Sequence, residues 1–410
     1  MPEVTIRALG RQGDGIADGP LFVPRALSGE KVTGKLDGDR LTDIRIVQPS
    51  PDRVAPPCRH FKACGGCQMQ HASDNLVAEW KLGIVRDALK KQSLTTEIRG
   101  VETSPPRSRR RVGLAARRTK TGAIAGFHAR ASDTVVDVVD CPLIAPELAA
   151  APEFARSLAL IGVSRKGTLD VHCTVTLDGL DVVVEGGKPL DRQLRVDLPQ
   201  LGVRFGVARL TWDGELVAQS APPRHRIGRA FVELPPGAFL QATEHGERTL
   251  QECVLQATEG AVRVADLFSG CGTFALRLAE RGPVSAVEAE TAMVEALQQA
   301  ANHGELPYPV RAITRDLFRD ALSADELAGF DAVVLDPPRA GAAAQVAELA
   351  RSDVPVIAYV SCDPSSFARD AAVLVQGGYR LDWVQVVDQF RWSPHTELAA
   401  RLSRSHKRGN

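Results

Sequence analysis

Val264-Ala265-Asp266-Leu267-Phe268-Ser269-Gly270-Cys271-Gly272-Thr273-Phe274 decides how the C-terminal part of this chain folds. A short apolar run reaches an acidic residue, turns through two closely spaced glycines and opens into an Ala- and Leu-rich stretch. That order is strand, tight loop, helix. The glycines let backbone come close to a ligand, and a helix N-terminus favours negative charge beside it. The third glycine of the dinucleotide fingerprint G-x-G-x-x-G is absent. Downstream, VSAVEAE (284–290), DAVVLDPP (331–338) and VPVIAYVSC (354–362) repeat the rhythm of apolar run and polar ending, with helical stretches between them. The pattern predicts a doubly wound parallel sheet. Residues 241–410 therefore read as an α/β domain, with Glu288 at the end of its second strand.

Outward from there, residues 1–52 read as short strands punctuated by glycine turns, with Val4/Ile6 and Ile44/Ile46 alternating as half-buried strands do. About 50 residues of this kind suit a small barrel of the oligonucleotide-binding type, although an irregular β cap fits the pattern too. Residues 53–240 open with the loop PPCRHFKACGGCQMQH (56–71), continue with a helix from about Asp74 to Lys91, and then run through strand-like segments as a β-rich central region. The tail RSHKRGN (404–410) reads as frayed.

Composition narrows the class. The 410 residues carry 50 Lys and Arg against 50 Asp and Glu, so no overall charge favours polyanions. The distribution differs: residues 53–130 hold 16 basic against 5 acidic residues, and residues 261–360 hold 8 against 14. One region could grip a phosphate backbone while another does chemistry, or the basic stretch could be a solvated face. No apolar run reaches the roughly 18 residues of a membrane span, and the N-terminus lacks a signal-peptide pattern. A cytoplasmic protein with reduced cysteines is expected, and nothing demands more than a monomer.

Three motifs carry chemistry. Asp336-Pro337-Pro338-Arg339 ends a strand, where open α/β sheets bind ligands. Arg339 follows the prolines, where an aromatic could have stacked on a base. Cys362, in Tyr-Val-Ser-Cys-Asp-Pro, ends the next strand at a strand–loop junction, a better place for a nucleophile than for a packed thiol. His395-Thr396-Glu397 follows near the C-terminus; alone, Glu397 would read as a solvated or capping residue. Upstream, Cys58, Cys64, Cys67 and Cys141 have a spacing that can ligate one metal centre, either zinc or an iron–sulfur cluster.

Taken together, the glycine loop, DPPRAG, SCDP, HTE and the cysteine spacing resemble the RNA uracil-5 methyltransferases, most of all the iron–sulfur branch acting on large-subunit ribosomal RNA. The resemblance runs over almost the whole chain. It implies a TRAM-like barrel at 1–52, a central RNA-binding region with a cluster loop at 53–240, and a class I methyltransferase domain at 241–410. It implies S-adenosylmethionine as cofactor, contacted by Gln241, Phe268, Thr273, Glu288 and Asp316, with Asp336 in the same pocket at the uracil edge. It assigns a [4Fe–4S] cluster to Cys58, Cys64, Cys67 and Cys141. Cys362 becomes the nucleophile that adds to uracil carbon 6, and Glu397 the general base that removes the carbon 5 proton. The partner is RNA, ribosomal in the first place and transfer RNA in the second; the basic run Arg107, Arg109, Arg110, Arg111, Arg117, Arg118 and Lys120 would contact phosphates. The chain departs from the family pattern at Asp363, Thr243 and Thr273, where asparagine is common. A metal-stabilised RNA-binding protein without methyl transfer is the alternative of a different class.

Overall fold

The computed structural model describes residues 2–19 and 21–404, so the tail from 405 onward, read as frayed, lies outside the described residues. Five strands between Glu3 and Gln48 close into a barrel, with Ile6, Val23, Val32 and Leu41 buried in it. The expected small barrel is present.

The helix Asp74–Lys91 begins and ends where its sequence says it should. The Ser73 side chain accepts from the Leu76 N–H at 3.2 Å, Asp74 sits in the first turn, and Lys90 and Lys91 complement the last carbonyls. The central region contains a seven-stranded sheet, but it is not purely β. Helices Ala151–Gly162 and Leu194–Arg204 accompany that sheet. In the first, Phe154, Ala155, Leu158 and Ala159 are buried at helical spacing. Pro152 at the start of that helix and Pro199 inside the other mask both in a reading for breakers.

The third sheet has eight strands in the order Val310–Thr314, Val284–Glu288, Val264–Leu267, Ala332–Leu335, Val356–Ser361, Glu397–Ser403, Arg380–Asp388, Glu97–Thr103. The first five are parallel, and Glu397–Ser403 runs antiparallel between its neighbours. This is the doubly wound sheet the motif rhythm predicts. One strand comes from outside the expected span. Glu97–Thr103 pairs in parallel with Arg380–Asp388, and Val85, Ala88 and Leu89 of the preceding helix join the same core. The line drawn at 241 is therefore crossed by the chain: residues before it complete the sheet edge and cover one face.

The strand order reverses between Val264–Leu267 and Ala332–Leu335. Ligands of open α/β sheets bind beyond the carboxyl ends of strands at such a switch point. Phe268 and Asp336 are the residues that follow those two strands.

Candidate active site

The glycine loop leaves its strand at a strained residue. Phe268 has φ +63°, a left-handed conformation costing a non-glycine residue about 1–3 kcal/mol, and its ring packs on Phe318 at 5.4 Å between centroids. Gly270 and Gly272 follow with φ +53° and +93°. A Cβ at Gly272 would lie 2.4 Å from Leu297 Cδ1, so no side chain fits there. Glu288 folds back over the loop, its carboxylate accepting from the Gly270 N–H at 3.0 Å and from the N–H groups of Ala289 and Glu290 at 2.7 and 3.0 Å.

Around this loop lies a cavity of about 470 Å³, lined by Gln241, Phe268, Thr273, Glu288, Asp336, Cys362 and Glu397, among others. The structure thus brings together five of the six expected pocket residues with both expected catalytic ones. Asp316 stands apart from that lining: its carboxylate accepts from the Phe318 N–H at 3.0 Å and fixes the turn that presents Phe318 to the cavity. Ser269, also in the wall, keeps a buried hydroxyl without a partner among the described residues.

A second cavity, of about 510 Å³, is lined by Cys58, Cys64, Cys67 and Cys141, by Arg11 of the barrel, and again by Arg339 and Cys362. Cys362 and Arg339 therefore stand in the walls of both cavities. The cysteine loop is far from Cys362 in sequence and close to it in space. It is pinned there by the Gln68 and Met69 N–H groups, which both donate to the Trp392 carbonyl, at 2.8 and 3.0 Å. Among the described residues, no group of three or more His, Cys, Asp or Glu side chains is drawn together as around a single metal ion. Burial pushes the thiols of Cys64, Cys67 and Cys141 up, that of Cys67 to about 12.

Electrostatics at Cys362 follow from burial. Desolvation, then the neighbouring carboxyls of Glu397 and Asp336, push its thiol up to about 11, with Arg339 pulling the other way. Burial raises Asp336 to about 7. It also raises Glu397 to about 8, against the hydrogen bond from Gln389 that favours the carboxylate. A carboxyl titrating near neutrality can act as a base there.

The three departures have local partners. Asp363 caps the helix Pro364–Gln376, accepting from the Ser365 and Ser366 N–H groups at 2.7 and 3.2 Å. Its other oxygen accepts from Arg11 at 2.8 Å and pairs with Arg339 at 3.4 Å, so the barrel is latched to the residue after Cys362. Thr243 caps the helix Glu244–Ala257 through its hydroxyl, which also pairs with Ser104 at 2.8 Å. Thr273 offers its carbonyl to Gln251 at 3.0 Å.

The basic run divides. Arg110 is buried and paired with Glu247 at 2.5 Å, and it donates to the Gln241 carbonyl at 3.0 Å. Arg111 donates to the Leu240 carbonyl at 2.6 Å and lies over Phe239. These two clamp the segment carrying Gln241: Arg110 is spent inside the protein, and half-buried Arg111 commits one terminal nitrogen there. Arg107, Arg118 and Lys120 are exposed. A sequence cannot separate the two groups, because the clamp partners lie some 130 positions away.

Residues 310–405 match the family model described as tRNA (Uracil-5-)-methyltransferase. Over 99% of its length the chain is 40% identical to 98% of an uncharacterized RNA methyltransferase of Brucella suis biovar 1. It is 34% identical, over 99% of its length and 90% of the relative's, to a 23S rRNA (uracil(1939)-C(5))-methyltransferase of Chromohalobacter salexigens. Among solved structures, the tRNA (uracil-54, C5)-methyltransferase of Pyrococcus abyssi in complex with S-adenosyl-L-homocysteine superposes with TM-score 0.77 at 24% identity, covering 98% of this chain and 99% of that one. It shares the fold. Among the described residues no helix is long and apolar enough to cross a membrane.

Proposed function

The chain belongs to the RNA uracil-5 methyltransferase family, and on that footing we propose that it methylates carbon 5 of a uridine in 23S ribosomal RNA, with Cys362 as nucleophile and Glu397 as general base. The observation that carries this reading is the place of Cys362 in the walls of two cavities at once. One is the cavity that suits the cofactor, with Asp336 and Glu397 also in its wall, and the other is the cavity of the cysteine loop, so Cys362 stands where the two meet.

The cofactor cavity fits S-adenosylmethionine in its donor set: an acid at the end of the second strand, a glycine loop, aromatic walls at Phe268 and Phe318, and the unpartnered Ser269 hydroxyl. Gln241, Phe268, Thr273, Glu288 and, through its hold on Phe318, Asp316 would keep it in place. When bound, it supplies an electrophilic methyl group. The chain's own residues do the rest. Uracil carbon 5 is a weak nucleophile until the Cys362 thiolate adds to carbon 6 and converts the ring to an enolate. Asp336, half-buried in the same cavity wall as Cys362, is placed to hydrogen-bond the uracil edge. Glu397 then takes the carbon 5 proton, carbon 5 and carbon 6 regain their double bond, and the sulfur leaves as thiolate. To enter such a pocket the uridine must leave its stack.

Both groups must be ionised to work, and both titrate above their ordinary values in the free protein. Their active forms are the deprotonated ones, and Glu397 acts after methyl transfer, so kcat rises with pH through the Glu397 value of about 8. A profile that is flat between about pH 6 and pH 9 contradicts the assignment.

We assign the four cysteines to a [4Fe–4S] cluster rather than zinc on the family resemblance. All four thiols line one cavity. Four cysteine thiolates are the ligand set of such a cluster and equally of a zinc site. Iron and acid-labile sulfide in anaerobically purified protein are the expected result; zinc without visible colour contradicts it. The loop's seat on Trp392, next to the segment leading to Glu397, makes a structural staple its first role.

The RNA class is tested with labelled S-adenosylmethionine and unmodified ribosomal and transfer RNA, read by nucleoside mass spectrometry. Label in 5-methyluridine from large-subunit ribosomal RNA is expected. Label in transfer RNA alone transfers the reading to that substrate.

A further inference from the structure

Gln389 lies in the turn between strands Arg380–Asp388 and Glu397–Ser403, buried, and no sequence motif singles it out. Its amide is held from both ends. Oε1 accepts from the Thr243 backbone N–H at 3.3 Å, which leaves Nε2 facing two acceptors. One is Gln241 Oε1 at 2.5 Å, and the other is Glu397 Oε2. A primary amide has two N–H donors, so both are used. The reverse orientation would set an amide NH₂ against a backbone N–H and an amide oxygen against a carboxylate, so the surroundings select this one.

The turn is fixed from beneath by Lys81. Its buried ammonium donates to Asp388 Oδ1 at 2.5 Å, to the His395 carbonyl at 2.8 Å and to the Phe390 carbonyl at 3.2 Å. These bonds hold the side chain of Asp388 and the backbone of Phe390, the residues on either side of Gln389.

We propose that Gln389 is a positioning residue for the proton-abstraction step, an inference that rests on Glu397 being the base. It holds Glu397 by Oε2, leaves Oε1 as the oxygen that receives the carbon 5 proton, and ties the base to the glutamine at the cofactor cavity. In that step the C5–H bond breaks and the proton goes to Oε1. The electron pair forms the C5–C6 double bond, the C6–S bond breaks, and Cys362 leaves as thiolate. Glu397 ends protonated and still held by Oε2, so its geometry is the same before and after transfer.

The charged and titratable groups around Glu397 are Asp336 at one strand end, Cys362 at the next, Asp388 below and Lys81 from the helix Asp74–Lys91. Asp336 and Asp388 favour its neutral form, and Lys81 and the Gln389 N–H favour the carboxylate. Removing the Gln389 donor therefore moves the titration of Glu397 upward, and the base form appears only at higher pH.

The test is a single turnover of Gln389→Leu with labelled S-adenosylmethionine and RNA, following the denaturant-stable protein–RNA adduct as it forms and decays. Adduct decay is expected to slow roughly 10- to 100-fold more than adduct formation, with its pH profile displaced upward by about one unit. Gln389→Met, which keeps the length but has no donors, carries the same expectation should the leucine variant fail to fold. Glu397→Gln is the reference. If Glu397→Gln itself accumulates no adduct, the base assignment falls. If it does, and the Gln389 variants slow formation and decay equally with an unmoved pH profile, Gln389 only packs and the inference is overturned.

Discussion

Cys362→Ala binds S-adenosylmethionine and turns over no RNA. The expected fall in kcat is roughly 10⁴-fold or more, the scale seen when a covalent nucleophile is removed. The physical reason is that nothing else at the boundary of the two cavities can add to carbon 6. Besides Cys362, the residue lining both cavities is Arg339, a cation without a free electron pair. Cofactor binding, read by calorimetry, largely survives, because the glycine loop, Glu288 and the aromatic walls do not depend on the thiol. Turnover within about tenfold of the wild type contradicts covalent catalysis.

Glu397→Gln stops the cycle one step later. Addition of Cys362 and methyl transfer do not need the base, whereas resolution of the adduct does. The variant keeps the side-chain length and an amide oxygen for the Gln389 donor, so the pocket retains its shape. Removal of a general base costs typically 10²- to 10⁴-fold. The expected result is a methyl-labelled protein–RNA conjugate that survives denaturing electrophoresis, absent or faint with the wild type. A variant that turns over slowly with no conjugate places the base elsewhere.

The methyltransferase sheet was legible because its signals are local. Each strand is a short apolar run, each ligand-facing residue follows the strand that presents it, and Asp336 and Cys362 fall at the ends of neighbouring strands for that reason. The helix Asp74–Lys91 was legible from its own cap and periodicity. Apart from the two helices that prolines mask, the missing parts were made by distant pairings. Strand Glu97–Thr103 has ordinary strand character and nothing that names its partner, Arg380–Asp388, some 280 positions later. Arg110 and Arg111 look like phosphate contacts because a run of arginines carries no mark of the carbonyls it will clamp. Asp363 reads as a departure until Arg11 of the barrel is placed against it. Lys81 and Gln389 are invisible as site residues in the same way: one sits on an amphipathic helix and the other in a turn, and only the fold sets them behind Glu397.

The central claim is that the methyl group replaces the proton on carbon 5. It is tested most directly with large-subunit ribosomal RNA carrying tritium at uridine carbon 5 and S-adenosylmethionine labelled in the methyl group, counting both labels in one reaction. Tritium released to water one for one with methyl incorporated is the predicted result. Methyl incorporation without tritium release would put the modification on another atom of the RNA and contradict the account.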